Sequence, residues 1–149
     1  MFGGSFGVFR SRKRHFFYER HPIYVELSKV LKIRKNEPAL RRGRQYLRQI
    51  SGDGVNFGLP CMIGGQIRSV VPWSRLFNDQ ELLLAINTDP DRDCSAWVTI
   101  DDSLHQAGEN LTCLYSTNTT QVNTTVQVVP KNGKAVCLTV PPGGFVIYK

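Results

Sequence analysis

The carboxylates are the first groups to consider as chemistry, because hydrolysis and proton transfer need a positioned acid and base. They cluster in two acidic stretches, residues 89–93 and the pair Asp101-Asp102. Both stretches are typical of turns, where aspartate is favoured by its bonds to nearby backbone. Residues 89–93 also lack the glycine and the terminal glutamate of a calcium loop. We interpret these carboxylates as turn residues and predict neither a catalytic residue nor a metal site in this chain.

Histidine and cysteine give no further motif. His15, His21 and His105 lie far apart in the sequence, and no serine or cysteine elbow accompanies them. No two cysteines have the spacing of zinc ligands, and we expect no cofactor. Cys113 and Cys137 fall in the middle of strand-like segments. They could form a disulfide if those strands are neighbours; otherwise each acts as a small apolar residue.

Three aromatic residues, Trp73, Trp97 and Tyr115, are candidate carbohydrate contacts, because a ring that faces water can stack on a sugar. Trp97 alternates with Ala96 and Val98, which predicts that its ring is on the solvent side of a strand. The alternative is that these rings belong to the core or to an interface, which is the more common role of an aromatic residue in a strand.

The element that would position these residues is a hairpin between residues 67 and 87. A first apolar run ends at Phe77, the polar break Asn78-Asp79-Gln80 follows, and a second run continues to Asn87. The second run is apolar at consecutive positions, which predicts a strand buried on both faces at the centre of a sheet. Pro72 has no amide proton, so the first run should lie at an edge or contain a bulge.

The residues around this hairpin predict further short strands separated by turn signals, and Asn132-Gly133 is a strong hairpin-turn signal. The spacing is typical of a sandwich or barrel. We predict an all-β fold, an antiparallel, Greek-key-like β-sandwich of about eight strands with one N-terminal α-helix. The strand segments are residues 45–50, 67–77, 81–87, 96–100, 111–115, 126–128, 134–140 and 145–148.

The N-terminal third has a different character. His21-Pro22 begins an amphipathic helix with an apolar side at Ile23, Leu27, Val30 and Leu31. The helix should end near residue 35 or 36, since Pro38 keeps its predecessor out of helical geometry. Residues 38–40 are predicted to form a short turn. The sequence therefore divides into residues 1–42, a basic loop with one helix, and residues 43–149, the β-sandwich.

Charge is distributed unevenly between these parts. Residues 1–50 contain thirteen Lys and Arg against three acids, a formal charge of +10, whereas the remainder carries −3. A basic segment can bind nucleic acid, but a solvated helix face or an acidic partner surface accounts for it equally well and more simply. We expect no nucleic-acid partner. No apolar run has the ~20 residues that cross a bilayer, so no membrane association is expected. The N-terminus lacks a secretory pattern, which favours a cytoplasmic location.

Taken together, three segments resemble the C-terminal end of an α-amylase-family glycoside hydrolase. They are the glycine-rich start Phe2-Gly3-Gly4-Ser5-Phe6-Gly7 with His15-Phe16-Phe17, the helix end Ile33 to Gly43, and the close Pro142 to Tyr148. The segment around Pro38-Ala39-Leu40-Arg41 is the most specific of these. The resemblance extends over essentially the whole chain.

This resemblance implies that residues 1–20 are the last loop of a catalytic (β/α)8 barrel, that residues 22–36 are its last helix, and that a β-domain follows. The family's catalytic carboxylates lie on barrel strands upstream, and no position here matches their motifs. The implied function is a non-catalytic β-domain that stabilises the barrel, its partner, in α-glucan metabolism. Alternatives are an independent carbohydrate-binding module or a basic nucleic-acid-binding protein. Self-association through the apolar side of the helix is a further expectation.

Overall fold

The structure, a computed structural model, describes residues 20–61 and 69–149. The chain forms two compact units, one ending at Ile33 and one comprising Arg34–Lys149. No helix in the described residues is long and apolar enough to cross a membrane. The predicted loop before residue 20 lies outside the described residues, and the division at residue 42 stays a prediction.

The N-terminal helix is confirmed as α1 (Pro22–Asn36). Proline is favoured in the first turn because the amide protons of that turn have no acceptor within the helix. Arg34 and Lys35 in its last turn complement the negative end of the helix dipole. Glu26 and Lys29 form an ion pair of 2.6 Å on its surface. The apolar side chains Ile23, Leu27 and Leu31 are exposed.

The turn predicted at residues 38–40 is wrong, because these residues begin a second helix, α2 (Pro38–Arg42). Proline at its first position is prearranged for a helix, and the chain leaves the helix at Gly43. Glu37, between the two helices, accepts hydrogen bonds from Lys149 Nζ at 2.9 Å and from Gln80 Nε2 at 2.9 Å. These bonds fasten the start of α2 to the β-domain.

The β-domain is an antiparallel sandwich, as predicted. Its described residues form a six-stranded sheet in the order β1-β3-β4-β9-β6-β7 and a three-stranded sheet in the order β2-β5-β8. The strands are β1 (Arg44–Leu47), β2 (Ile50–Ser51), β3 (Val70–Phe77), β4 (Gln80–Asn87), β5 (Cys94–Thr99), β6 (Asn110–Ser116), β7 (Thr125–Gln127), β8 (Ala135–Val140) and β9 (Phe145–Tyr148).

The single strand predicted at residues 45–50 is wrong, because the chain changes sheets there. β1 pairs with β3 in the larger sheet, and β2 pairs with β5 in the smaller one. Between them, the Arg48 side chain turns inward to Glu81, and the Gln49 amide donates to Thr99 Oγ1 at 3.0 Å. The backbone still bonds both sheets here, since the Arg48 amide donates to the Pro72 carbonyl at 3.2 Å and the Gln49 carbonyl accepts the Thr99 amide at 3.0 Å.

The central hairpin is confirmed. β3 and β4 pair along their whole length, from Val70 opposite Asn87 to Phe77 opposite Gln80. Asn78 makes the turn with a left-handed φ of 52°. β4 is buried on both faces and lies third in the six-stranded sheet. β3 is not an edge strand, since it lies between β1 and β4, and the edge expected at Pro72 is present only locally. Proline is tolerated because β1 ends opposite Trp73, one residue away, and the Arg48 amide bonds the Pro72 carbonyl at 3.2 Å.

The Asn132-Gly133 turn is confirmed, with positive φ at both residues. The ladder next to it is a single bridge, Val129 to Ala135, because β7 pairs with β6 in the larger sheet while β8 joins the smaller one. The two cysteines do not form the disulfide considered above, because Cys113 is buried whereas Cys137 is exposed. Cys113 and Cys137 are free, on strands of different sheets.

The core fills the space between the two sheets. Residues of β3, β4, β6 and β9 pack there against β5 and β8. The members of the larger sheet include Val70, Leu83, Ala85, Cys113, Val146 and Tyr148, and those of the smaller sheet include Ala96, Val98, Val136, Leu138 and Val140. Burial of this apolar surface is the main driving force for folding the domain.

The opposite face of the larger sheet, which we call the outer face, is also apolar. Strand registers align one row of side chains across five strands: Leu47, Trp73, Leu84, Ile147 and Tyr115. A sandwich usually presents polar residues on its outer faces. Helix α2 packs on β3 and β4, and its Ala39 is fully buried. Leu47, at the end of the row, is 61% exposed.

Candidate functional site

Two of the three candidate sugar-contact residues lie on the outer face. Trp73 stacks on Phe145 with ring centroids 6.1 Å apart, and Tyr115 packs on the same Phe145 ring at 5.9 Å. Trp73 is half-buried and Tyr115 is buried. The two rings therefore join one aromatic cluster, and the ring of Tyr115 is covered by neighbouring residues.

Trp97 lies apart from this cluster, on β5 of the smaller sheet. It is half-buried, and Lys131 Nζ sits 4.9 Å from its ring centroid, within the range of a cation–π contact. Lys131 also donates to the Gly54 carbonyl at 3.3 Å. A Cβ on Gly54 would stand 2.9 Å from Trp97 Nε1, so the loop that holds Gly54 lies against the indole. The structure does not bring the three candidates together.

The loop beside Trp97 is built on Asp53. Its carboxylate accepts hydrogen bonds from Ser51 Oγ at 2.6 Å and from the amides of Val55 and Asn56 at 2.9 Å each. The bond from Ser51, followed by those from Asn56 and Val55, holds the pKa of Asp53 well below its ordinary value. Asp53 is therefore a charged turn residue that shapes the loop.

Two of the aspartates singled out by sequence, Asp89 and Asp101, accept amides within turns. Asp89 Oδ1 accepts the Asp91 amide at 2.9 Å, and Asp101 Oδ1 accepts the Ser103 amide at 3.0 Å. Asp102 pairs with Lys134 at 3.0 Å on the surface. Within the described residues, no group of three or more His, Cys, Asp or Glu is arranged to hold a metal ion.

The most concentrated polar chemistry in the described residues is a cluster that sequence reasoning missed. Its centre is Glu81 on β4, whose side chain is 1% exposed. Glu81 Oε1 accepts hydrogen bonds from Arg48 Nη2 at 2.7 Å and from the Ser74 hydroxyl, and Oε2 accepts the Asp101 amide at 2.8 Å. Every oxygen of this buried carboxylate is therefore satisfied. We call this group, together with His105 and Glu109, the Glu81 cluster.

The pKa of Glu81 reflects two opposing effects. Burial by itself would raise the pKa, since it disfavours the charged form. The hydrogen bonds from His105 and Ser74, together with the charge of Arg48, outweigh burial and hold the pKa below its ordinary value. Glu81 is accordingly an anion in the folded protein, and its charge is fully engaged by its neighbours.

His105 connects this anion to a second carboxylate. Its Nε2 lies 3.0 Å from Glu81 Oε2, and its Nδ1 lies 3.3 Å from Glu109 Oε2. Asp101 completes the surroundings, with Oδ2 at 3.7 Å from Arg48 Nη2. The hydrogen bond to Glu81 raises the pKa of His105, against the opposing effect of burial.

An open, shallow depression lies beside the Glu81 cluster. It is formed by one loop, and Glu109 is shared by the cluster and by the depression. The lining residues are Leu104, Gln106, Ala107, Gly108 and Glu109. A ligand pocket usually draws walls from several elements, so this depression has little of the enclosure that small-molecule binding requires.

The comparisons with known proteins identify the fold. No protein-family model and no curated protein sequence matches this chain. Solved structures do match it. A debranching enzyme from Nostoc punctiforme is similar over 85% of this chain, with 23% identity and a TM-score of 0.52. A noncanonic maltogenic α-amylase from Thermotoga neapolitana is similar over 97% of this chain, with 12% identity and a TM-score of 0.58.

A cyclomaltodextrin glucanotransferase described as having a three-domain ABC distribution is similar over 92% of this chain, with 15% identity and a TM-score of 0.56. This chain corresponds to only 19% of the debranching enzyme chain, 24% of the glucanotransferase chain and 29% of the maltogenic amylase chain. The fold is therefore that of one part of α-amylase-family enzymes. The resemblance seen in the sequence is confirmed at the level of fold.

Proposed function

We propose that this chain is the non-catalytic C-terminal β-domain of an α-amylase-family glycoside hydrolase, and that it stabilises the catalytic (β/α)8 barrel of that enzyme. The main support is the coverage: nearly all of this chain matches less than a third of each structural neighbour. A domain that occurs as a small part of several enzymes with different activities is suited to a shared structural task.

The chemistry of the described carboxylates supports a non-catalytic role. Glycoside hydrolysis normally needs two carboxyl groups that flank the scissile bond in an open site. Glu81 is buried among donors, and Asp53 and Asp101 are bonded within their own turns.

The outer face supports the barrel as partner. Leu84, Ile147 and Tyr115 of its apolar row are buried within this chain, but Leu47 at the end of the row is 61% exposed and Ile86 on the same face is 36% exposed. Exposed apolar side chains on a sheet face favour contact with another apolar surface. We propose that this face meets the barrel and that contact with α-glucan, if it occurs in the parent enzyme, is made mainly by the barrel.

The first test is an activity measurement. The purified chain, incubated with starch and with maltooligosaccharides, should release no reducing sugar above a heat-denatured sample. Turnover that disappears on substitution of a carboxylate in this chain would overturn the non-catalytic assignment.

The second test uses the gene. The reading frame upstream of residue 1 should encode a (β/α)8 barrel, and the longer protein should carry glycoside hydrolase activity.

In that longer protein, Leu47→Lys should lower the thermal stability of the barrel, because a charge would be buried at the interface. Leu59→Lys is a matched control, since Leu59 is also exposed but lies in the loop after β2. Equal effects of the two substitutions would contradict the outer face as the barrel contact.

A carbohydrate-binding module is the second candidate, and the half-buried ring of Trp97 favours it. Affinity electrophoresis in soluble starch distinguishes the two functions. Retardation that is lost in Trp97→Ala but kept in Trp73→Ala would support sugar binding at the smaller sheet. Equal mobility with and without starch would favour the structural role.

A further inference from the structure

The two ring nitrogens of His105 both face carboxylate oxygens, Nε2 toward Glu81 and Nδ1 toward Glu109. A carboxylate can only accept a hydrogen bond from such a neighbour, and a neutral imidazole carries a proton on one nitrogen alone. The doubly protonated ring is therefore the one form of His105 that satisfies both contacts. This conclusion follows from the geometry of the contacts.

The charges around the ring favour the same form. The cluster holds three carboxylates against one guanidinium: Glu81 and Glu109 contact the ring, and Asp101 lies beside Arg48, which is itself bonded to Glu81. Lys134, from the turn before β8, is paired with Asp102. The hydroxyl of Ser74 on β3 donates to Glu81. A proton on His105 thus enters a site with excess negative charge.

We propose that His105 is a proton-operated clasp, which closes residues 105–109 around the buried carboxylate of Glu81 when the ring is protonated and loosens them when it is neutral. The two contacts are unequal. The Glu81 side chain is only 1% exposed, so water cannot readily replace a hydrogen bond that is lost there. Glu109 is 42% exposed and is readily hydrated. The neutral ring therefore keeps its proton on Nε2, toward Glu81, and gives up Glu109.

The loosening acts on bonds that close the loop. Glu109 Oε2 also accepts the Gln106 amide at 2.9 Å, and the Glu109 carbonyl accepts the Val128 amide at 2.8 Å. When the imidazolium charge is lost, the Glu109 carboxylate turns toward water. The Gln106 amide then loses part of its protection from hydrogen exchange with solvent. The clasp thus couples the protonation of the His105 ring to the order of the loop before β6.

The sign of the pH effect follows from linkage. The folded pKa of His105 lies above its unfolded value, so the stabilisation is complete below the unfolded value of ~6.5 and is lost as pH rises through the folded pKa. The folding equilibrium constant gains about tenfold from this group for each unit by which the folded pKa exceeds the unfolded one.

The experiment is an NMR titration of His105 in the intact chain, combined with urea unfolding from pH 5.5 to 9. We expect His105 to titrate above ~6.5, to hold its proton on Nε2 at high pH, and to lose protection of the Gln106 amide over the same range. In Glu109→Gln, which keeps an oxygen to accept the Gln106 amide, the His105 titration should move to lower pH.

The variants separate the clasp from a merely structural histidine. His105→Gln should lose the high-pH decrease in stability, whereas His21→Gln, at the start of α1, should keep the wild-type profile. A titration of His105 at or below ~6.5, or a proton on Nδ1 in the neutral form, would overturn the proposal. If His105→Gln does not fold, the wild-type titration and Glu109→Gln still decide the question.

Discussion

Glu81 is an acid placed where an apolar residue would be expected, in a strand that is otherwise buried and hydrophobic. Its charge is tolerated because Arg48, Ser74, Asp101 and His105 each supply a donor. Removing one member of a buried ion pair is costly, since the remaining charge is left without a counterpart in a poorly hydrated place. The cluster therefore makes the fold sensitive to single substitutions at this position.

We expect Glu81→Gln to lower the free energy of unfolding by about 3–5 kcal/mol, because Arg48 and His105 would lose their shared anion. Urea unfolding at pH 7 measures this loss. Asp102→Asn is the control, as Asp102 is largely exposed beside Lys134 and should change stability by less than about 1 kcal/mol. A loss of similar size in both variants would show that burial of Glu81 has no special energetic role.

Low pH should also weaken the Glu81 cluster, because the Glu81 carboxylate becomes protonated. The pKa of Glu81 is held below its ordinary value, so its stabilisation is present above the unfolded pKa and is lost as pH falls through the folded pKa. Unfolding free energies measured between pH 2 and 6 should show a decrease toward acid that is smaller in Glu81→Gln. An equal acid dependence in the two proteins would assign the effect to other carboxylates.

At the residue scale, sequence allowed the turn aspartates to be predicted but not the Glu81 cluster. Asp89 and Asp101 bond amides two residues away, so their role is visible in the local pattern. Two partners of Glu81, His105 and Arg48, are separated from it by 24 and 33 residues, and the tertiary contacts that bring them together are not a local signal. The clue available in the sequence was an acid at the start of a run of buried apolar residues.

At the scale of elements, the central hairpin could be predicted and the path of the chain before it could not. The hairpin has strong local signals: two apolar runs, a turn containing Asn78, and continuous burial of β4. The change of sheet between β1 and β2 depends on the tertiary contact between Arg48 and Glu81. Helix α2 is one turn long, too short for its periodicity to be recognised.

Gly43 is the point where α2 gives way to β1, and we expect Gly43→Ala to destabilise the domain by about 1–3 kcal/mol. An added Cβ would stand 2.5 Å from the Ala39 carbonyl oxygen and 2.7 Å from that of Leu76. Both are backbone atoms, which cannot move aside as a flexible side chain can. Thermal or urea unfolding measures the loss.

Gly52→Ala is the matched control for this substitution. No atom lies within 4 Å of the position that its Cβ would occupy, so stability should change by less than about 1 kcal/mol. If Gly43→Ala proved equally neutral, α2 would have to shift on the sheet at little cost, and its close packing would not matter to the fold.

At the scale of the whole molecule, charge and apolar surface are separated along the chain. The formal charge is +10 in residues 1–50 and −3 in the rest, while the apolar outer face belongs to the sheet. Composition revealed the charge separation directly. The outer face could not be predicted, because strand order and register decide which side chains share a face.

The charge separation allows one further prediction, that this chain has no measurable affinity for duplex DNA at ~100 mM salt. A basic segment that contacts only phosphates binds through counterion release, and this contribution to affinity falls steeply with added salt. Fluorescence anisotropy with a labelled duplex from low to moderate salt measures this. Tight binding that persists at ~100 mM salt and is lost in Arg41→Ser/Arg42→Ser would instead support the nucleic-acid alternative.

The position of β9 has a consequence for how the chain acquires its shape. β9 is the last strand in order of synthesis among those described, yet it lies between β4 and β6 and pairs with both. During translation, β4 and β6 are synthesised before β9, the strand that lies between them. Each therefore has an unpaired edge until β9 is made. A premature stop codon ahead of Phe145 would remove four strand residues and leave the larger sheet in two separate pieces, a species prone to join its open edges to those of other nascent chains.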